Sequence, residues 1–176
     1  MIKIDNTVIN GVKLISPEIH NDERGYFFES FNSSEFNIGK ENISFIQDNE
    51  SLSSFGTLRG IHFQKEPFPQ SKLVRVIKGT IQDIAVDLRS DSPTYKKYVS
   101  AILDDKDKKQ IFIPKGFGHA FLVLSEIAIV SYKVDNYYNP DYDSGIRFDD
   151  HTLNISWDLN TENIIISDKD KNLPYL

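Results

Sequence analysis

Short apolar segments alternate with turn residues along most of the chain. Many of these segments are rich in β-branched and aromatic residues, and turn signals such as Lys78-Gly79 and Pro114-Lys115-Gly116 separate them. This punctuation is typical of strands, because an amphipathic helix would place apolar residues three and four positions apart. The strands predicted in this way are residues 12–16, 25–31, 43–48, 72–78, 80–88, 97–103, 109–113, 119–124, 128–134 and pieces of 155–166.

Residues 80–88 show the clearest alternation and predict a strand with at least one buried face, in a register that the pattern leaves open. Only residues 33–40 and 149–153 suggest brief helical turns. The chain contains no internal repeat, low-complexity segment or long linker, so nothing marks an internal boundary. We therefore expect one domain over residues 1–176, built as an all-β sandwich or jelly roll with a few short helical turns.

Composition narrows the classes of function. The 176 residues are 39% hydrophobic and include 12 Phe and 8 Tyr, enough for a core and for aromatic rings at a binding surface. A net charge of −6 lacks the basic field that nucleic acid requires. The absence of Cys excludes disulfides, thiolate metal sites and cysteine nucleophiles. No apolar segment approaches the span of a bilayer and residues 1–11 do not resemble a signal peptide, so we expect a soluble cytoplasmic protein.

Two of the four histidines, His62 and His119, lie in settings that suggest chemistry. A metal site would need further ligands, and position 64 is Gln, so that a His-x-His pair is missing. An acid–base site would need a histidine, a carboxylate that orients it and a proton donor on the other face of the substrate. His62, Asp170 and Tyr132 could fill these roles. Individually, each is better explained as a buried histidine, a turn cap or a core aromatic ring.

The order of several short motifs carries more information than any one of them. They are residues 22–29 (DERGYFFE), 47–51 (QDNES), 59–64 (RGIHFQ), 70–76 (QSKLVRV), 87–89 (DLR), 113–119 (IPKGFGH), 132–133 (YK), 136–138 (NYY) and 167–170 (SDKD). In this order they closely resemble the dTDP-4-dehydrorhamnose 3,5-epimerase family, and the resemblance covers nearly the whole chain.

The resemblance implies a cupin-type jelly roll and a homodimer whose active sites are completed by the partner subunit. It implies that His62 removes a proton next to the C4 ketone of a nucleotide-linked 4-keto-6-deoxy sugar, with Asp170 as its carboxylate partner. Lys72 would stabilise the enolate, and Tyr132 would return a proton on the opposite face. Neither a cofactor nor a metal is implied, because the ketone already present in the substrate serves as the electron sink.

The resemblance also implies a set of substrate-binding residues. Arg24 and Arg59 match positions that contact the diphosphate or the sugar, where a planar guanidinium suits paired phosphate oxygens, and Tyr138 matches the ring that stacks on the base. The remaining matches are Glu29, Gln47, Asn49, His119, Asp143 and Lys169. Surface ion pairs for the arginines, a core or rim position for Tyr138 and structural hydrogen bonding for the polar positions remain open alternatives.

Three departures from the family pattern concern the substrate. Asp143 stands where many members have Glu, residues 147–150 replace a segment that more commonly contains Trp, and Asp158 follows Trp157 where Pro is frequent. The nucleobase therefore stays open, as do the choice between hexose and heptose and the choice of inversion at C3, C5 or both. A single-site 3- or 5-epimerase and a GDP-4-keto-heptose epimerase are alternatives. A 3,4-ketoisomerase fits Lys72, Tyr132 and Asp170 poorly, and these intact residues argue against a non-catalytic nucleotide-sugar binding protein. The family makes dTDP-rhamnose and surface-polysaccharide biosynthesis plausible.

Overall fold

The computed structural model describes residues 2–34, 36 and 43–176. The strands in these residues are β1 Lys3–Asn6, β2 Lys13–Ser16, β3 His20–Asp22, β4 Gly25–Phe27, β5 Gln47–Ser54, β6 Leu58–Gln64, β7 Lys72–Lys78, β8 Thr80–Asp87, β9 Tyr98–Asp104, β10 Gln110–Ile113, β11 Phe117–Val123, β12 Ile127–Val134 and β13 Asp143–Gly145. One short helix, α1 Asp168–Lys171, and two 3₁₀ turns at Pro140–Tyr142 and Thr161–Asn163 complete the described elements.

Two antiparallel sheets form the body of the protein. The larger has the strand order β1-β2-β10-β7-β12-β5 and the smaller the order β13-β6-β11-β8-β9, while β3 and β4 form a separate hairpin. Side chains of both sheets meet in the main core, which includes Val74 and Val130 from the larger sheet and Ile81 and Phe121 from the smaller. This arrangement confirms the predicted all-β sandwich.

Strand β8 is buried on both faces, which settles the register that the sequence left open. Ile81 and Ala85 point into the main core, whereas Ile84 and Val86 pack on the other side against Ile146 and neighbouring residues. The chain after β13 covers the outer face of the smaller sheet, and this is why β8 buries apolar side chains on both faces.

Several strand predictions were wrong, and one strand of the smaller sheet was missed. Residues 43–46 are not in a strand, and β5 instead runs over Gln47–Ser54, a segment with a single large apolar residue. Strand β6, interrupted by Gly60, was not predicted at all. The strand expected over residues 25–31 ends at Phe27, and of residues 155–166 only Ile165 forms a bridge, to Thr57.

The two predicted helical turns can be compared with the structure only in part. Residues 33–40 lie largely outside the described residues, and residues 149–153 form a hydrogen-bonded turn in which Asn154 N donates to Asp150 O at 2.9 Å. Helix α1 was not predicted. Within the described residues, no helix has the length and apolar character needed to cross a membrane.

Candidate active site

Two adjoining cavities, of about 560 and 300 Å³, open between the two sheets. His62, Lys72, Tyr132 and Lys169 line both of them. The sequence-predicted residues Arg59, His119 and Asp170 line the larger cavity, and Gln47, Asn49, Tyr138 and Asp143 line the smaller one. The fold therefore gathers most of the predicted site residues into one cleft.

His62 and Asp170 form a hydrogen-bonded pair at the cleft. His62 Nε2 lies 2.8 Å from Asp170 Oδ1, and Asp170 Oδ2 accepts a second hydrogen bond from the backbone N of Gly60 at 3.3 Å. Burial would raise the pKa of Asp170, but these bonds and one with Ser167 hold it below its ordinary value. An ionised carboxylate only accepts, so His62 carries its proton on Nε2 and a neutral ring has a basic Nδ1.

Local structure explains how this pair is held. Gly60 has a φ of +123°, and a Cβ atom there would lie 2.5 Å from the carbonyl oxygen of His119. Only glycine therefore lets β6 come this close to β11 with this backbone conformation. Asp170 lies in α1, whose N-cap is Ser167, and its backbone N donates to the Ser167 hydroxyl at 3.1 Å.

Tyr132 and Lys72 face the cleft from the opposite sheet. His62 belongs to β6 of the smaller sheet, whereas Tyr132 on β12 and Lys72 on β7 belong to adjacent strands of the larger sheet. A ligand between the sheets would have the imidazole on one side and the phenol on the other. This geometry could not be read from the sequence, because no motif spacing places residues on facing sheets.

The cleft changes the acidity of both groups. Burial raises the pKa of Tyr132, against an opposing effect of Arg59, so the phenol keeps its proton at neutral pH. Burial lowers the pKa of Lys72 to about 8, and the attraction of the Asp83 and Asp143 carboxylates offsets this only in part. Near pH 7 the cleft thus holds a neutral phenol and a mostly protonated ammonium group.

His119 forms a second histidine–carboxylate pair beside the first. It lies opposite His62 in the β6–β11 register, and its Nε2 is 2.9 Å from Asp83 Oδ2 on β8. Burial lowers the pKa of His119, against the opposing effect of Asp83. Asp83 was not among the predicted site residues, although a charged residue in a strand expected to have a buried face was a usable signal, since aspartate is rarely buried without a partner.

The smaller cavity is lined by polar and aromatic groups. Gln47 Nε2 donates to Asn49 Oδ1 at 2.9 Å, and Tyr138, which is 54% exposed, donates from its hydroxyl to Asp143 Oδ2 at 3.2 Å. Lys169 also pairs with Asp143. An exposed aromatic ring beside a cation and a carboxylate suits a planar base with an attached polar group.

Gln64 holds the loop that carries Tyr138. Its Nε2 donates to Phe68 O at 2.7 Å and to Tyr137 O at 3.1 Å, and its Oε1 accepts from Asn139 N at 2.7 Å. Gln64, which stands where a metal-binding His-x-His pattern would have its second histidine, therefore positions the loop beside the cleft. Among the described residues, no group of three or more His, Asp or Glu side chains is arranged to hold a metal ion.

Two predicted residues do not reach the cleft of their own chain. Arg24 lies at the tip of the β3–β4 hairpin, where its side chain is 85% exposed and pairs with Asp22. Glu29 follows the hairpin and accepts a hydrogen bond from Asn32 at 3.3 Å. Arg59 does line the larger cavity, and its Nε donates to Ser53 Oγ at 3.0 Å.

Comparison with known proteins identifies the family. The model of the dTDP-4-dehydrorhamnose 3,5-epimerase family matches residues 6–176. The dTDP-4-dehydrorhamnose 3,5-epimerase of Methanothermobacter thermautotrophicus is 50% identical over 167 residues, which cover 94% of this chain and 90% of that protein.

Solved structures agree with this result. The epimerase from Bacillus anthracis, with TDP and pyrophosphate bound, has a TM-score of 0.95 and 44% identity over all of both chains. The epimerase from Legionella pneumophila, in complex with dTDP-4-keto-L-rhamnose, has a TM-score of 0.95 and 41% identity over 99% of this chain and 93% of that one. These likenesses confirm the cupin-type jelly roll, and the chain belongs to the dTDP-4-dehydrorhamnose 3,5-epimerase family.

Proposed function

We propose that this protein is a cofactor-independent epimerase that inverts the carbons on both sides of the ketone in a dTDP-linked 4-keto-6-deoxy sugar. The observation that carries the proposal is the placement of His62 and Tyr132 on facing sheets of one cleft. Inversion requires that a proton leave one face of a carbon and that another arrive on the opposite face. The relatives named as 3,5-epimerases support the reaction, and the nucleotides bound in two of them support the dTDP group.

The first step is removal of a proton from carbon. His62 Nδ1 takes the proton next to the ketone, and the electron pair of the C–H bond moves onto the ketone oxygen to give an enolate. Asp170 holds the ring by its Nε2 proton and stabilises the imidazolium that forms. The Lys72 ammonium stabilises the developing negative charge on the oxygen, which is worth more in a desolvated cleft than in water.

The second step returns a proton on the other face. The neutral Tyr132 phenol donates its proton to the carbon as the enolate collapses to the ketone. Exchange with water then restores the Tyr132 phenol and the neutral His62 ring. A second inversion, at the other carbon next to the ketone, uses the same groups after the sugar ring flips in the cleft.

The nucleotide is assigned to the rest of the cleft. Arg59 would contact the diphosphate and Tyr138 would stack on the base, with Asp143 and Lys169 beside it. Gln47, Asn49 and His119 would line the sugar pocket. We expect residues 1–176 to form one epimerase domain, and we expect the enzyme to be cytoplasmic.

The proposal includes a homodimer in which Arg24 and Glu29 enter the cleft of the partner subunit. The hairpin that carries Arg24 exposes Tyr26 and Phe27 by 57% and 67%, an apolar patch that suits a protein contact. Lys108 fixes the hairpin to its own chain, since its Nζ donates to the Tyr26 hydroxyl at 3.0 Å. A charged arginine at the tip of such a hairpin is available to a second molecule.

Proton exchange with solvent tests the function directly. The purified protein is incubated in deuterated water with dTDP-4-keto-6-deoxyglucose, and in parallel with a GDP-linked 4-keto sugar, and the ring protons are followed by NMR. We expect loss of the C3 and C5 signals from the dTDP sugar together with appearance of the inverted product. Exchange at one carbon would make the protein a single-site epimerase, and no exchange in either sugar would refute the proposal.

A further inference from the structure

We propose that Asp83 is the counter-ion that keeps Lys72 protonated inside the cleft, and is thus a positioning residue for enolate stabilisation. This inference rests on the proposed function, because it concerns the same cleft. It adds a residue that no sequence motif singled out and that makes no contact with the solvent.

The hydrogen bonding of Asp83 is incomplete. Its side chain is fully buried, Oδ2 is bonded to His119, and Oδ1 has no hydrogen-bond partner among the described residues. A buried carboxylate with a bare oxygen costs free energy unless a nearby positive charge compensates it. Asp170, by contrast, uses both of its oxygens, with His62 and Gly60.

The other charged groups around the cleft either pair with a neighbouring side chain or are exposed to water. Asp143 is bonded to Lys169 and Tyr138, and Glu50 is exposed, where water screens its charge. His119 has a pKa that burial lowers, so it is neutral at pH 7 and does not neutralise Asp83. The remaining titratable groups that line the cleft are His62, Asp170, Tyr132 and Arg59. Among the cations of the cleft, Lys169 pairs with Asp143 and Arg59 is exposed. The Lys72 ammonium, which has no hydrogen-bond or ion-pair partner among the described residues, is the cation left for Asp83.

The sheet geometry supports this pairing. Asp83 and His119 lie on adjacent strands of the smaller sheet, and Lys72 faces them from the larger sheet. The attraction of Asp83 is the stronger of the two carboxylate effects on Lys72, ahead of Asp143. A lysine that is desolvated without such a counter-ion would release its proton near neutral pH and could no longer stabilise an enolate.

The variant Asp83→Asn separates charge from hydrogen bonding, because an amide oxygen still accepts from His119 Nε2. The test is an NMR titration of the full-length protein labelled with 13C at lysine Cε, with the Lys72 signal assigned from its loss in Lys72→Arg. We expect the Lys72 titration midpoint to fall by about one pH unit or more in Asp83→Asn. Asp48→Asn, on a residue that pairs with Lys133, controls for net charge and should leave the midpoint in place.

An unchanged Lys72 midpoint in Asp83→Asn would overturn the inference. If that variant does not fold, Asp83→Ser is the second variant: it removes the same charge, the Lys72 midpoint should fall in the same way, and an unchanged midpoint would overturn the inference equally. Neither titration needs a substrate, so a failure here is distinguishable from a failure of the proposed function. In an active enzyme, the alkaline limb of kcat should move with the Lys72 midpoint, whereas a purely structural role of Asp83 would lower kcat at every pH.

Discussion

His62 and His119 lie directly opposite each other on the antiparallel strands β6 and β11, and each is bonded through Nε2 to an aspartate from a different element. The two pairs differ in exposure: the His62 side chain is 32% exposed and that of His119 is 7% exposed. They also differ in their carboxylates: Asp170 accepts a hydrogen bond from the Gly60 backbone, whereas Asp83 Oδ1 has no hydrogen-bond partner in the described part of the chain. The accessible pair can meet a substrate, and the buried pair shapes the electrostatics around it.

Replacing His62 tests which of the two histidines is the base. His62→Gln should reduce solvent exchange at C3 and C5 by about 10³-fold, because His119, the other histidine that lines the cleft, is only 7% exposed and is less accessible to a substrate. Deuterium incorporation followed by NMR measures the effect. His151→Gln is the matched control, since His151 stacks on Tyr175 away from the cleft. Exchange in His62→Gln within ten-fold of the unmodified rate would remove His62 from the mechanism.

Tyr132→Phe should separate exchange from inversion. The variant keeps His62 and Lys72, so proton removal and return from the same face can continue, while delivery to the opposite face is lost. We expect epimer formation to fall by about 10²-fold or more, with deuterium still entering the ring. Both are read from one NMR time course, and Tyr95→Phe, on an exposed ring beside Lys96, is the control. Epimer formation at the original rate would contradict the assignment.

The pH dependence of kcat should report Lys72. Its pKa of about 8 means that the ammonium form, which stabilises the enolate, is present below that pH and is lost above it. We therefore expect kcat to fall on the alkaline side with a midpoint near pH 8. Lys72→Arg should remove this limb from the range below pH 10, because a guanidinium stays charged there, even if its different shape lowers kcat. A limb that stays near pH 8 in Lys72→Arg would assign it to another group.

Strands whose side chains fill the core could be predicted from the sequence, and the strands β5 and β6 largely could not. Strand β7 was predicted with its observed bounds, and β8 to within one residue, because their side chains fill a core and carry a periodic signal. Strand β5 gave no such signal because its inward side chains are polar, and in β6 Arg59, Gly60 and His62 separate the few apolar residues. Hydrophobic periodicity therefore detected β7 and β12, which carry Lys72 and Tyr132, but not most of β5 or β6, which carry the cleft residues Asn49, Arg59 and His62.

The residues of the site were also predicted only in part. The ordered motifs predicted His62, Lys72, Tyr132 and Asp170, and the fold brings all four to one cleft. Asp83 was missed because an aspartate in a strand can either lie beside a functional cleft or form a structural ion pair. Asp87, four residues later, is an example of the second case, since it pairs with Arg89. Only the three-dimensional arrangement separates a carboxylate beside the cleft from one that pairs with an arginine.

Asp87 should contribute to stability and not to the reaction. It is fully buried and accepts hydrogen bonds from Arg89, Ser92 and Thr94. Asp87→Asn should lower the free energy of unfolding at pH 7 by about 3 kcal/mol, because it breaks a buried pair whose arginine is partly solvated. Urea denaturation measures this loss, and Asp48→Asn, which breaks an exposed pair with Lys133, should cost less than about 1 kcal/mol.

The same contribution should depend on pH in a defined direction. Burial would raise the pKa of Asp87, but its hydrogen bonds to Arg89, Ser92 and Thr94 outweigh burial and hold it well below the ordinary value. A depressed pKa stabilises the folded state above the unfolded-state pKa of about 4, and this stabilisation is lost as the pH falls toward the folded-state pKa. The difference between the unmodified protein and Asp87→Asn should therefore shrink at pH 3. A difference that is constant from pH 7 to pH 3 would contradict the ionised pairing.

Mixing two inactive variants tests whether Arg24 acts in the partner subunit. Arg24→Ala and His62→Gln should each be nearly inactive alone, the first because it loses a contact to the diphosphate and the second because it loses the base. If each cleft combines His62 of one subunit with Arg24 of the other, a mixed dimer has one cleft with both residues and one with neither. Random reassortment makes half of the dimers mixed, so activity should recover to about a quarter of the unmodified level. If Arg24 served its own subunit, no mixed dimer would contain a complete cleft, and the mixture would stay as inactive as its components.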